Sequence, residues 1–424
     1  MFYDMIMRKV FIYVSGCERR ELDATRVKNY FIQNGHKIVN KPKHADVIFY
    51  ITCDLLDKIG EINLNKIKEF QKYKADLIVA GCLPDISKEK LLEIFDGHII
   101  TTKDLNEHPE KIDKIFPENK IPFSEIEDGN YLFPPMYDES KPSGVIQKLI
   151  RNVDWMKKVY FQIEDYVYKN PDQTNVHWWH PIKREFYHIR TSWGCPSNCS
   201  YCAIKKAIGE FKSKPLDKCL AEFKKGLDEG FKLFFINADD IGGYGIDINS
   251  SFTELLDKLT SVPGDYQLAI RSLNPPWVVK YIDEWEEILK RGKIVSMEIP
   301  VQSGSQRILK LMRRYSNVGK MIEAFKKLKQ IAPDMIVYNH YIAGFPTETE
   351  EDFKQTLNFI VETKFKAGTI FPYSCKTGTD AEKIEPKIPR KEVFRWLENS
   401  KPFLAEHGYK TFYRAKPDFF IFYS

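Results

Sequence analysis

Hydrophobic residues in the first hundred positions form short continuous runs that alternate with amphipathic segments. The pattern predicts strands at 9–16, 46–52 and 76–81, and helices at 18–35, 64–74 and 88–96. Continuous apolar strands that alternate with helices are typical of a parallel sheet with both faces covered. Residues 1–117 are therefore expected to form a small doubly wound α/β domain.

The alternation stops between residues 118 and 184, where the chain is rich in Pro, Tyr, Trp and His. We interpret this stretch as an irregular connection with one helix near 146–160. A connection of this length is usually functional or mobile. Its tryptophans, Trp155, Trp178 and Trp179, can line a pocket or pack between domains.

Strand-length and helical segments resume at residue 185. Strands are predicted at 186–192, 232–238, 266–272, 293–301, 335–343 and 368–374, with helices such as 216–230 and 317–331 between them. Six strand–helix units in succession predict a partial (β/α)6 barrel over 185–395. A short C-terminal extension, 396–424, follows, and its segment 414–424 is expected to add an edge strand or to pack on the core.

Composition adds only a few limits to this picture. The 424 residues are 43% hydrophobic, and 64 basic against 59 acidic residues give a net charge of +5, which permits nucleic acid or an acidic partner without favouring either. Charged residues interrupt the apolar N-terminus, and no stretch approaches the roughly 18 apolar residues of a membrane span. We expect a soluble, cytoplasmic protein with no membrane partner.

Three cysteines lie close together in the sequence, just after the first predicted barrel strand. Cys195, Cys199 and Cys202 follow the pattern Cys-x-x-x-Cys-x-x-Cys. Three thiolates leave one iron of a 4Fe–4S cluster without a protein ligand, whereas a structural zinc site closes its fourth position. The spacing favours an iron–sulfur cluster with an open iron; a zinc knuckle or three structural thiols are the alternatives.

Three other cysteines are far apart in sequence but share a position in the predicted sheet. Cys17, Cys53 and Cys82 each follow the end of a predicted parallel strand, and such ends line the sheet edge where ligands bind. The three thiols can therefore converge on one site, the alternative being three unrelated buried cysteines. Cys219 and Cys375 are expected to be ordinary buried thiols.

Several sequence blocks together carry a family resemblance. Tyr201 before the last cysteine fits the signature of the radical S-adenosylmethionine (SAM) superfamily. The further blocks are SGC (15–17), TC (52–53), AGC (80–82), YGID (244–247), PVQSGSQRILKLMRR (300–314), AGFPTETEEDF (343–353) and FPYSCKTGTDA (371–381). With these blocks in order, residues 9–395, apart from 118–184, resemble the methylthiotransferases of that superfamily.

The resemblance implies an enzyme with two 4Fe–4S clusters, one on Cys195, Cys199 and Cys202 and a second on the three strand-end cysteines. One SAM would methylate a sulfur carried at the second cluster, and another would generate a 5′-deoxyadenosyl radical at the first. An unactivated C–H bond of the substrate would become C–SCH3. An electron donor such as flavodoxin or ferredoxin is the expected partner.

The SAM pocket is expected at polar and glycine positions where barrel strands end, because barrel sites form there. Besides Tyr201, the candidates are Asn237, Asp239, Arg271, Gln302, Ser303, Ile342 and Gly344. Gly344 permits a close backbone approach to the adenine. For each residue the alternative is a capping or turn role, as for Ser303 before a helix.

Three departures from the family pattern bear on the substrate. Relatives that act on tRNA or a ribosomal protein usually end in a small β-barrel (TRAM) domain, which is expected to be absent because only 394–424 follow IPRKEV (388–393). The 118–184 connection is longer than usual. Arg20 stands where the family often has Asn, and Ile208 stands before Gly209 where it often has Arg. We therefore expect a peptide or small metabolite as substrate, while the motif VQSGS keeps tRNA open.

Other functions stay open at this point. One is a radical enzyme that inserts sulfur without methylation or uses the second cluster only for electron transfer. Another is a non-catalytic iron–sulfur sensor or scaffold, against which the pocket residues Gln302, Gly344 and Glu348 argue. A cobalamin-dependent radical enzyme also has a doubly wound N-terminal domain, but three strand-end cysteines and no Asp-x-His-x-x-Gly loop argue against it.

Overall fold

The structure is a computed structural model that describes residues 7–54, 57–133, 186–415 and 418–424. The helix expected near 146–160 and the tryptophans Trp155, Trp178 and Trp179 lie outside the described residues. In the described part of the chain, two α/β units are joined through extensive polar and apolar contacts.

The N-terminal unit is built on a parallel sheet. Its strands within the described residues are β1 (Lys9–Val14), β2 (Lys37–Ile38), β3 (Val47–Thr52), β4 (Asp76–Gly81) and β5 (His98–Thr101), arranged in the order β2-β1-β3-β4-β5. Val14 pairs with Ile51, and Thr52 pairs with Gly81, so β1, β3 and β4 end almost level with one another.

Helices cover both faces of this sheet. They are α1 (Glu18–Gln33), α2 (Asp57–Phe70), α3 (Leu83–Ile86), α4 (Lys88–Leu92), α5 (Thr102–Glu107) and α6 (Glu110–Ile115). Successive residues of β1 point to opposite faces: Val10 and Ile12 join one buried cluster and Phe11 joins another. The doubly wound N-terminal domain is thereby confirmed.

The second unit contains six parallel strands in chain order within the described residues. They are β6 (Tyr187–Arg190), β9 (Leu233–Asn237), β10 (Gln267–Ile270), β11 (Ile294–Gln302), β12 (Ile336–Ala343) and β13 (Ala367–Pro372). Two short strands, β7 (Ser192–Trp193) and β8 (Lys212–Ser213), form a separate antiparallel pair. Each of the six predicted strands overlaps one of the parallel strands, and the partial (β/α)6 barrel is confirmed.

Helices connect these strands. They are α7 (Ile204–Ile208), α8 (Leu216–Asp228), α9 (Phe252–Ser261), α10 (Pro275–Tyr281), α11 (Glu286–Lys290), α12 (Gln306–Leu311), α13 (Val318–Ile331), α14 (Glu350–Thr363) and α15 (Arg390–Glu406). Short 3₁₀ turns occur at Pro42–His44, Phe123–Glu125, Ile241–Gly243 and Asp380–Lys383. One continuous apolar core joins the helices to the sheet.

The C-terminal segment extends the barrel sheet as a hairpin of β14 (Lys410–Ala415) and β15 (Asp418–Tyr423). β15 pairs antiparallel with β13, and β14 forms the outer edge. The last strand is therefore inside the sheet rather than at its edge, because Phe420 and Phe422 are fully buried in the core while the returning strand β14 takes the outer position.

Candidate active site

The three N-terminal cysteines lie at one edge of the sheet. Cys17 immediately precedes α1, Cys53 follows β3 and Cys82 follows β4, and these helices and strands are neighbours. The backbone N–H of Cys82 donates to the carbonyl oxygen of Thr52 at 3.0 Å, which joins two of the strand ends directly. Cys53 and Cys82 are buried, and Cys17 is half-buried.

Cys82 has polar neighbours that favour a thiolate. Nη1 of Arg20 lies 3.6 Å from its Sγ, and the Thr102 hydroxyl lies 3.7 Å away. Burial raises the pKa of the Cys82 thiol, and the Arg20 guanidinium opposes that rise. A cation beside a cysteine stabilises its deprotonated, metal-binding form.

The barrel cysteines Cys195, Cys199 and Cys202 lie in the loop between β7 and α7. Nη1 of Arg314 is 3.4 Å from Sγ of Cys199, and Nη2 of Arg314 donates to Oδ1 of Asn274 at 2.7 Å. Burial raises the pKa of Cys195 to about 12, so the site without a bound cation favours the neutral thiol there. Each cysteine triad thus has one arginine beside one of its sulfurs: Arg20 is buried and Arg314 is half-buried.

The donor set of each triad fits a multi-iron cluster. The six cysteines are free thiols, and within the described ranges no three His, Cys, Asp or Glu side chains lie close enough to hold a single metal ion. A 4Fe–4S cluster bonds each thiolate to a different iron, so its ligands stand farther apart than those of one ion. Three thiols with a guanidinium at one sulfur are suited to such a negatively charged group.

The other two cysteines differ from each other. Cys219 is fully buried under the barrel helices, as expected. Cys375 is exposed, so the expectation that it is buried is wrong. It lies beyond the last residue of β13, where the chain has left the sheet and no longer shares its burial.

The two triads are on facing sides of the interface between the units. Helix α3, which follows Cys82, packs against α7, which follows Cys202. Cys82 and Ile86 share one apolar cluster with Ala203 and Ala207. The sheet edge with the N-terminal cysteines therefore lies against the cysteine loop of the barrel.

Asp239 also relates the two triads. Its carboxylate interacts electrostatically with Cys82 on one side and with Cys195 and Cys202 on the other. Its Oδ1 accepts an ion-pair contact of 2.9 Å from Nε of Arg19, in the first turn of α1. The carboxylate is therefore within electrostatic range of thiols of both triads.

Two candidate SAM-binding residues are engaged in ion pairs at this interface. Asp239 pairs with Arg19, and Nη1 of Arg271 is 3.1 Å from Glu18 and its Nε 3.0 Å from Glu298. Their charges are matched within the protein, and the contacts dock α1 on the barrel. A role in SAM binding stays a prediction for both residues.

Tyr201, Ile342 and Gly344 are brought together beside the cysteine loop. Tyr201 and Ile342 pack in one apolar cluster with Phe345, directly after Gly344. Gly344 has a φ of +79°, and a Cβ there would lie 2.3 Å from Cγ2 of Val393. Only glycine fits this strand end, because the left-handed φ and the contact with Val393 exclude a side chain.

The remaining three candidates occupy strand ends in different ways. Asn237 ends β9, and both atoms of its buried amide lack a hydrogen-bond partner among the described residues, which suits a ligand-binding role. Gln302 ends β11 with a φ of +77°. Ser303 accepts from the N–H of Ser305 at 3.1 Å, so its hydroxyl takes part in the turn before α12.

A polar cavity of about 700 Å³ lies elsewhere between the units, on the side of α5 and α8. Charged side chains of both signs line it, among them Arg26, Glu107, Asp128, Lys212 and Glu222. Neither cysteine triad nor any predicted SAM-binding residue contributes to its lining. The cavity is therefore separate from the predicted site.

Sequence reasoning missed the polar groups that support the thiols. Arg314 and the buried pair of Lys376 with Asp54, whose Nζ and Oδ1 are 3.0 Å apart, come from distant parts of the chain. Arg20 was noticed only as a departure from the family pattern. Lys376 and Arg314 both lie within the family blocks quoted above, which was the available signal.

Comparisons with known families agree with this arrangement. The profile described as the Radical SAM superfamily matches residues 189–360, and the one described as Uncharacterized protein family UPF0004 matches 9–101. These matches coincide with the barrel and with the N-terminal sheet. The chain belongs to the radical SAM methylthiotransferase family. It is an enzyme of this kind, and the family uses SAM with iron–sulfur chemistry.

Relatives that are named for different substrates match most of the chain. A probable threonylcarbamoyladenosine tRNA methylthiotransferase of Pyrococcus abyssi is 28% identical over 378 residues, or 89% of this chain and 79% of the relative. The ribosomal protein uS12 methylthiotransferase RimO of Thermodesulfovibrio yellowstonii is 28% identical over 390 residues, or 90% and 79%. These relatives are thus named for two different classes of macromolecule, a tRNA and a ribosomal protein.

Among solved structures, the radical SAM methyltransferase TsrM of Kitasatospora setae shares the fold. Its TM-score is 0.59 at 10% identity, covering 89% of this chain and 77% of TsrM. The likeness concerns the fold alone. Within the described ranges of the enzyme, no helix has the length and apolar character needed to cross a bilayer.

Proposed function

We propose that the enzyme uses two 4Fe–4S clusters and two molecules of SAM to replace an unactivated C–H bond by C–SCH3. Cys195, Cys199 and Cys202 hold one cluster, and the strand-end cysteines Cys17, Cys53 and Cys82 hold the other. When bound, the clusters and SAM supply a carbon-centred radical and a methylated sulfur. The protein must bring these two functions to one place.

The packing of α3 on α7 is the observation that carries this proposal. It puts the helix after Cys82 against the helix after Cys202, with Cys82 and Ala203 in the same apolar cluster. A sulfur held at one triad and a radical formed at the other would then both be at this interface. Distant triads would instead suit electron transfer or an unrelated structural role.

The chain's own residues have distinct tasks in this proposal. Arg314 donates to Cys199 and Arg20 to Cys82, so each triad has a cation that stabilises negative sulfur. Tyr201 and Ile342, which pack with Phe345 directly after Gly344, would form the apolar wall for the adenine, and Asn237 offers a buried amide without a partner among the described residues. Gln302, Ser303, Asp239 and Arg271 complete the predicted pocket at the strand ends.

The substrate proposed is a peptide or a small metabolite. Relatives named for ribosomal protein uS12 are compatible with a polypeptide substrate, and they match 90% of the chain, as relatives named for tRNA match 89%. The tRNA alternative is favoured by the motif VQSGS and by the relatives named for tRNA. A one-electron donor such as flavodoxin or ferredoxin is the proposed redox partner.

Two products formed from SAM report on the two triads separately, and neither measurement requires the substrate to be identified. Methyl transfer from SAM yields S-adenosylhomocysteine, and reductive cleavage yields 5′-deoxyadenosine. In reconstituted enzyme, the Cys17→Ala/Cys53→Ala/Cys82→Ala variant is expected to lose S-adenosylhomocysteine formation and to retain 5′-deoxyadenosine formation. The Cys195→Ala/Cys199→Ala/Cys202→Ala variant is expected to lose 5′-deoxyadenosine formation to the level of iron-free protein.

Persistent S-adenosylhomocysteine formation in the first variant would contradict sulfur methylation at the N-terminal triad. Product mass then identifies the reaction, because methylthiolation replaces H by CH3S whereas sulfur insertion adds sulfur alone. With methyl-labelled SAM, we expect label in uS12 protein, peptides or small molecules. Label that enters purified total tRNA instead would replace the proposed substrate by the tRNA alternative.

A further inference from the structure

Arg20 is the departure from the family pattern that lies closest to a cluster-binding cysteine. It is 3% exposed, and its guanidinium contacts three groups at once. Nη1 donates to the Thr102 hydroxyl and lies 3.6 Å from Sγ of Cys82, while Nη2 is 3.0 Å from Oδ2 of Asp23. The arginine head is therefore held in one orientation, against the thiol.

The backbone before α1 makes room for this side chain. A Cβ at Gly16 would lie 2.8 Å from both Cβ and Cγ of Arg20 and 3.5 Å from Cβ of Cys53. Glycine at position 16 thus allows the arginine stem to pass between two of the cysteine positions. Thr102, the residue directly after β5, accepts a hydrogen bond from the Arg20 guanidinium and also contacts Cys82.

The charge of Arg20 is only partly balanced by its neighbours. Asp23, its ion-pair partner, is shared with Arg190, whose Nη2 is 2.8 Å from the other carboxylate oxygen. One carboxylate therefore serves two buried guanidinium groups. Cys82 and Cys17 are within electrostatic range of the Arg20 guanidinium, as is the Asp239 carboxylate.

A buried cation beside a cluster ligand stabilises the form of the cluster that carries more negative charge. Reduction adds one negative charge, and cluster potentials depend on net charge and on hydrogen bonds to sulfur. Asparagine, frequent at this position in the family, could donate a hydrogen bond but carries no charge. The enzyme therefore has a positive charge at this position, where the family pattern has a neutral side chain.

We propose that Arg20 is a positioning residue that raises the reduction potential of the cluster bound by Cys17, Cys53 and Cys82. The inference rests on the second cluster of the proposed function and adds a regulator of its redox state. Through its contact with Cys82, Arg20 makes this cluster easier to reduce than the same cluster with asparagine there. The hydrogen bonds and ion pair of Arg20 go to Cys82, Thr102 and Asp23 and not to a barrel cysteine, so the potential of the cluster there is expected to change less.

The test is an EPR-monitored redox titration of the full chain after anaerobic reconstitution. Triple alanine variants of each triad assign the two signals. In Arg20→Asn and Arg20→Gln, the N-terminal cluster is expected to be at least tenfold harder to reduce, a shift of about 59 mV for a one-electron couple. Arg20→Lys, which keeps the charge, should shift the potential less than either.

Arg26→Asn is the matched control. Arg26 is another arginine of α1 that lies largely inside the protein, and it donates to the carbonyl oxygens of Ile126 and Phe123 rather than to a thiol. Its replacement is expected to leave both potentials unchanged. If the Arg20 variants only lost folding, the Arg26 variant would be affected in the same way. A shift in the potential of the N-terminal cluster in the Arg20 variants, without a shift in Arg26→Asn, separates a redox role from loss of folding.

Two negative results have different meanings. About eight irons in the wild type, with the same N-terminal potential in Arg20→Gln, would overturn the role of Arg20 and leave the proposed function intact. About four irons in the wild type would overturn the second cluster itself. If Arg20→Asn fails to bind iron, Arg20→Gln, with its longer reach toward Thr102, decides the question.

Discussion

Replacing Lys376 by Met is expected to lower the free energy of unfolding by about 3–5 kcal/mol, because it leaves a buried carboxylate without its cation. Nζ of Lys376 is 3.0 Å from Oδ1 of Asp54, and the two side chains are 8% and 1% exposed. Asp54 directly follows Cys53, so this pair fixes a cysteine loop of one unit to the other unit. Urea denaturation of the iron-free protein measures the effect.

Lys326→Met is the matched control. Lys326 pairs with Glu362 at 2.8 Å, but both side chains are about half exposed. Exposed pairs of this kind contribute about 0–1 kcal/mol. The double variant Asp54→Asn/Lys376→Met should recover much of the lost stability, because it removes the unpaired charge. Equal losses in Lys376→Met and Lys326→Met would show that the buried pair has no special role.

Glu348→Gln is expected to stabilise the protein in alkaline solution by on the order of a few kcal/mol, with little effect near pH 5. Glu348 is 2% exposed, its Oε2 accepts from the N–H groups of Gly344 and Phe345, and its Oε1 has no partner among the described residues. Burial raises the pKa of this carboxyl to about 8. The folded state therefore holds the proton more tightly than the unfolded chain.

The direction of the pH effect follows from that pKa. The stability that protonated Glu348 provides is complete below the carboxyl pKa of the unfolded chain and is lost as the pH rises through about 8. Glutamine stays neutral and avoids this loss. Melting temperatures of wild type and Glu348→Gln at pH 5 and pH 9 test this pH dependence, and Glu362→Gln, at an exposed position, is the control. Parallel pH profiles for wild type and Glu348→Gln would contradict the raised pKa.

Hydrophobic runs were sufficient to predict most of the parallel strands. β3 and β4 are almost wholly apolar, so their burial on both faces is visible in the sequence. β2 has two residues and β5 has four, of which His98 is exposed, and neither gives a continuous run. Helix α2 begins at Asp57, before the predicted start at 64. Its early residue Asn63 donates to the carbonyl oxygen of Cys53, and this polar contact helps to stabilise the first turns.

The cysteines of the site could be proposed from the sequence, but not the groups around them. Parallel strands bring their carboxyl ends to one edge, so Cys17, Cys53 and Cys82 could be placed together from topology alone. The contacts of Arg314 with Cys199 and of Lys376 with Asp54 depend on how separate units pack. Neither spacing nor periodicity contains that information.

The second cluster is the central claim, and iron and sulfide content with Mössbauer spectroscopy tests it most directly. Wild type and the Cys17→Ala/Cys53→Ala/Cys82→Ala variant are compared after anaerobic reconstitution, with Cys219→Ala/Cys375→Ala as the control for loss of thiols. We predict about eight irons in wild type and control and about four in the triple variant, as for two four-iron clusters. About four irons in all three proteins would contradict the account and leave a radical SAM enzyme with a single cluster.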